Sequence, residues 1–146
     1  MSKLMQALLG GIFFTFILDF FIFLGIKLHY IDFYEIDLYY NILFADNQNI
    51  FIFGFFTVFI GYLVMYVDFM KLKLSIIGLL FIISFSTLIS PIGYGVGEMI
   101  LMTKNQTLQN SHHTFVGDIY YNGRTTVTFY DTELQKIVIL DKKELK

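Results

Sequence analysis

Three long apolar runs fill the first two thirds of the chain, and a shorter alternating pattern follows them. Leu8 to Ile26 holds nineteen residues with a single charge, Asp19. Ile50 to Val67 holds eighteen and Leu74 to Gly97 twenty-four, with no charge in either. At about 1.5 Å per residue, each run can cross a hydrocarbon core of roughly 30 Å as a helix. None carries the polar stripe of an amphipathic helix. The pattern predicts a membrane α-helical fold with three transmembrane helices, over about residues 8–28, 50–70 and 74–97, in a membrane region 1–103. The first run is too long for a cleaved signal peptide and no small-residue cleavage site follows it, so it reads as a retained signal anchor.

From residue 104 to 146 the pattern changes to β. Phe115–Tyr121 and Arg124–Tyr130 flank Asn122-Gly123, a pair that tolerates the positive φ of a type I′ hairpin turn. Asp131–Leu134 predicts a second turn and Gln135–Leu140 a third strand, giving a small three-stranded antiparallel meander as a β-rich tail. Such a sheet has too little core to stand alone. Val116, Ile119, Tyr121, Val127, Phe129, Ile137 and Ile139 leave it with apolar surface that something must cover. The aromatic first loop, a second copy or another protein would each serve.

Composition supports the membrane reading: 56% of residues are apolar and 15% charged, against about a quarter charged in a soluble domain. A net charge of −2 offers no basic attraction to nucleic acid, which is excluded as a partner. The absence of cysteine removes disulfides, thiolate metal sites and cysteine nucleophiles together. Heavy use of Phe, Ile, Leu, Tyr, Lys and Asn without Trp is the bias of an AT-rich bacterial genome, which points to a bacterial inner membrane. Lys3, Lys71 and Lys73 stand at one end of the expected spans, whereas Asp32, Glu35, Asp37 and Asp46 stand in the first loop. The positive-inside rule then places the N-terminus in the cytoplasm, with the loop and the C-terminal tail in the periplasm.

Candidate chemistry centres on Asp19, since a carboxylate in mid-span commonly faces protein or water and marks ion coupling or a polar bond between helices. Ala7, Gly11, Thr15 and Asp19 recur every fourth residue and share a helical face. Gly54, Thr57, Gly61 and Asp68 share a face of the second span at intervals of three, four and seven, and Ser86, Ser90, Gly93 and Gly97 one of the third at four, three and four. Small residues on shared faces let helix backbones approach closely. Asp68, three residues before Lys71, reads as half of an interfacial ion pair. Pro91 is the only proline and predicts a kink or an end in the third span. Ile92-Gly93-Tyr94-Gly95 resembles four residues of a potassium-channel filter, but no inner helix has room to follow. His29, Asp32 and Glu35 are spaced three apart, and His112-His113 could join His29. The spacing fits a polar interfacial edge better than a metal centre, so neither a metal nor another cofactor is expected.

No Ser-His-Asp set, P-loop or dinucleotide-binding glycine pattern occurs in the chain. The expectation is a non-enzymatic accessory or assembly subunit of a larger bacterial inner-membrane complex, of the respiratory, secretion or flagellar-stator kind. Its partners are the lipid bilayer and other integral membrane proteins or copies of itself. A homo-oligomeric ion or proton transport component using Asp19 is the alternative. A membrane-embedded enzyme using His29, Asp32 and Glu35 comes third.

Overall fold

The computed structural model describes residues 2–110 and 113–145. Ser2 starts the first helix, its hydroxyl accepting from the Met5 N–H at 3.3 Å. Helix α1, Lys3–Ile26, continues without a break into a π-helical turn, Lys27–Ile31, for 29 residues in all. Helix α2 spans Tyr40–Asn47. Asn49 then caps helix α3, Ile50–Tyr66, with its side chain accepting from the Phe51 and Ile52 N–H groups. Helix α4 is Met70–Ser86 and helix α5 is Ser90–Leu101.

Helix α3 packs antiparallel against the first half of α1. At one end Gln48 bonds to Asp19, and at the other Lys3 lies over the Tyr66 ring, 5.0 Å from its centre. Ala7, Gly11, Thr15 and Leu18 form the buried stripe of α1. A Cβ placed on Gly11 would lie 1.9 Å from the Thr57 carbonyl oxygen, and one on Gly61 would lie 2.3 Å from that of Ala7. The two backbones are in direct contact. Outward-facing Phe51, Phe55, Val58 and Ile82 give α3 and α4 an apolar exterior.

The three-span expectation is corrected here. By length and composition, one helix, Lys3–Ile31, can cross a membrane. Helices α3 and α4 have 17 residues each, about 25 Å of helix. They pass the same test only when joined to α2 and α5, from which they are bent by 86° and 88°. An apolar run reports length and says nothing of straightness. In the third run the Ser84 hydroxyl donates to the Leu18 carbonyl at 2.6 Å, and that of Thr87 to the Phe21 carbonyl at 3.0 Å. These bonds tie the end of α4 to α1. Pro91 has no N–H for the Thr87 carbonyl, so the helix breaks over Thr87–Ile89 and restarts with Pro91 in the first turn of α5, where a missing N–H costs nothing.

The tail is also corrected, from three strands to four. Strands β1 (Thr103–Gln109), β2 (Thr114–Asn122), β3 (Thr126–Asp131) and β4 (Lys136–Asp141) form one antiparallel sheet in the order β1-β2-β3-β4. The turn at Asn122-Gly123 is not type I′. Asn122 pairs with Val127, and no glycine among the described residues has a positive φ. Gly123 is required for space, because a Cβ there would lie 2.9 Å from the Thr126 carbonyl oxygen. At the next turn Asp131 accepts from the Glu133 and Leu134 N–H groups, and Gln135 takes the positive φ of 51°.

Each face of the sheet has different cover. Ile119, Val127 and Phe129 form a core with Phe115, Val138, Leu140 and Leu145. The opposite face meets the top of the helices. A bulge between Ile119 and Tyr121 lets two successive tyrosines reach that side. Tyr120 stacks on Tyr34, with ring centres 4.1 Å apart, while Tyr121 enters a core with Ile26, Tyr30, Ile31 and Leu43.

Candidate functional site

Where the sheet meets the first loop, the fit is incomplete. The π turn buries Tyr30 completely against Gly97 of α5, and its hydroxyl donates to the Tyr120 carbonyl at 2.9 Å. Tyr34 and Tyr94 share a hydroxyl bond of 2.6 Å beside it. Burial, and then that bond, hold the Tyr34 phenol well above its ordinary pKa. At the other side of this seam Arg124 grips Asp46 with two groups, Nε at 2.8 and 3.0 Å and Nη2 at 2.5 Å. The bond from Arg124 holds the Asp46 carboxyl below its usual range.

Between these two anchors lies a cleft of about 620 Å³. One wall is loop, with Glu35, Ile36, Asp37 and Leu38; the other is sheet, with Thr126, Thr128, Ile137 and Ile139. Glu35 adopts a positive φ of 52° at the turn into this loop. Arg124 is neutralised by Asp46, and Glu35 and Asp37 have no ion-pair partner among the described residues, so the lining is net acidic. Thr128 is 7% exposed, and its hydroxyl makes no side-chain hydrogen bond among the described residues. Ile137 and Ile139 on β4 are 43% and 72% exposed.

Of the residues singled out from sequence, Glu35, Asp37, Ile137 and Ile139 line this cleft, and most of the others hold helices together. The Asp19 carboxylate accepts from the Gln48 amide at 3.0 Å, at the level where α3 begins and α4 ends. Gly11 and Gly61 form the α1–α3 contact, but Gly54, on the same predicted face, has nothing within 4 Å of its would-be Cβ. Thr15 and Thr57 are buried with hydroxyls lacking a partner among the described residues. Ser86 bonds back to the Ile83 carbonyl, and Ser90 is exposed at the start of α5. Gly93 lies against the Thr87 and Gly25 carbonyls, and Gly97 against the Tyr30 ring. The filter-like Ile92–Gly95 is ordinary α-helix, so its carbonyls serve helix bonds.

His29, Asp32 and Glu35 do not converge. His29 Nε2 is 2.8 Å from the Leu88 carbonyl oxygen, Asp32 pairs with Lys27, and Glu35 turns to the cleft. His112 lies outside the described residues. Asp68 forms no ion pair with Lys71 or any other cation among them, and Lys73 of the same turn donates to the Val64 carbonyl. The cleft itself was missed. Its one sequence signal is Ile137-Val138-Ile139-Leu140, apolar on both faces, in a strand that has internal cover for only one. No protein-family model, no curated protein and no solved structure matches this chain.

Proposed function

We propose that the chain is a non-catalytic accessory or assembly subunit of a larger bacterial inner-membrane complex, anchored by α1 and offering its sheet to another component in the periplasm. The observation that carries this reading is the outer strand β4, whose Ile137 and Ile139 stay exposed above a cleft although both the aromatic loop and Leu145 already cover other parts of the sheet. Exposed apolar residues beside a well-formed concavity are the usual mark of an interaction site. Asp19 favours this over ion coupling, because its carboxylate already holds Gln48 at the head of α3. The lysine-bearing end, with Lys3 and Lys73, lies opposite the sheet along α1, which supports a tail outside the cytoplasm.

The test is purification in mild detergent with mass spectrometry of what accompanies the protein. A second membrane protein in fixed ratio is the expected result. Recovery of this chain alone, at native abundance and in several detergents, would refute the reading.

A further inference from the structure

We infer that β4 and the cleft beneath it receive an extended segment of a partner protein, added as a fifth strand and bearing basic residues among apolar ones. This rests on the subunit reading above and names what the partner must present. The first argument is the backbone. The Lys142 N–H donates to the Thr125 carbonyl at 2.9 Å, and in an antiparallel ladder inward and outward groups alternate. Lys136, Val138 and Leu140 therefore bond to β3, and Ile137 and Ile139 turn their N–H and C=O groups to the open edge. An edge strand of high β-propensity with free donors and acceptors is a template for strand addition.

The second argument is the wall facing that edge. A segment laid along β4 would set alternate side chains over Ile137 and Ile139, with the others of that face reaching Glu35 and Asp37. Those carboxylates, unpaired among the described residues, call for lysine or arginine. Thr128, a largely buried residue that lines the same cleft, offers a hydroxyl to a polar side chain. A second copy fits poorly. With β4 paired to itself antiparallel about Val138, Lys136 and Lys142 of the two copies lie diagonally together, and about Ile139 they stand directly opposite.

Two variants and one probe test this on the full chain in its own membrane. Ile139→Pro removes an outward N–H and leaves the β3–β4 bonds intact. The exposed pair Glu35→Gln and Asp37→Asn removes the charge and leaves the backbone alone. The expected result is a fall of about tenfold or more in the co-purified component for each, the fold-change of a lost hydrogen bond or ion pair. If the component persists in both variants, strand addition is refuted while the subunit reading stands. If nothing accompanies the wild type, the reading itself fails. A photoreactive phenylalanine analogue in place of Ile139 gives the second readout. Cross-linking to a segment of alternating apolar and basic residues, abolished by the Glu35→Gln, Asp37→Asn pair, supports the proposal. Cross-links to a second copy, to lipid alone, or to nothing overturn it.

Discussion

Gly11→Ala is the sharpest test of how α1 and α3 meet. A Cβ at Gly11 would lie 1.9 Å from the Thr57 carbonyl oxygen, whereas ordinary contact begins at 3.4 Å. The helices would have to separate locally by about 1.5 Å, because backbone atoms cannot swing aside as a side-chain tip can. Overpacking of this kind costs about 1–3 kcal/mol. Alanine also returns up to about 1 kcal/mol through its higher helix propensity. Gly10 supplies the control, since it has nothing within 4 Å of its would-be Cβ and the same propensity gain applies. In the difference between Gly10→Ala and Gly11→Ala the propensity cancels, so Gly11→Ala should be less stable by about 1–3 kcal/mol. Reversible unfolding by SDS titration in mixed micelles, followed by far-UV circular dichroism, measures that difference. Equal stability of the two variants would refute the close crossing.

Three further outcomes follow from bonds already described. Ser84→Ala should lose about 0.5–1.5 kcal/mol in the same titration, because the hydroxyl is buried and donates to the Leu18 carbonyl; an unchanged midpoint would contradict that role. Asp19→Asn should unfold close to wild type, since an asparagine oxygen still accepts from Gln48, whereas Asp19→Leu should lose about 0.5–1.5 kcal/mol; equal losses would show that the charge, not the bond, matters. For Asp46 the carboxyl is held below its unfolded value by Arg124, so its contribution is complete above the unfolded value and disappears as pH falls through the folded one. The gap in melting temperature between wild type and Asp46→Asn should therefore be full above about pH 5 and narrow progressively below about pH 4, and no gap at neutral pH would argue against the pairing.

Much of the β tail was legible because its chemistry is local. Turn residues at 122–123 and 131–135 announce themselves, and the alternation of Val127 and Phe129 marks a strand with one buried face. Strand β1 was invisible for the complementary reason. Thr-Lys-Asn-Gln-Thr-Leu-Gln has almost no apolar residue to alternate, and it is strand only because β2 lies beside it, with a bulge and a positive φ at Asn105. Apolar runs located the helices and Pro91 marked the break in the third, but nothing in the pattern announced the hydroxyls that fix that break by reaching α1 carbonyls 66 residues back. Small-residue spacing behaved likewise. Gly11 and Gly54 satisfy the same pattern, but only Gly11 has a neighbour across from it. Periodicity defines a face and is silent about what stands opposite. The cleft belongs to this silent class, since Glu35 and Ile139 meet only after the sheet has folded back onto the loop.

The bond from Tyr30 to the Tyr120 carbonyl closes a loop of 90 residues, and so it also sets a time. At about 5–20 residues per second, a ribosome needs roughly 5–18 s to reach Tyr120 after making Tyr30. For that interval the tyrosine seat at the top of α1 has no lid, and the chain waits with its aromatic rings uncovered. The acidic cleft thus exists only from the moment the sheet arrives, well after both of its loop carboxylates have been made.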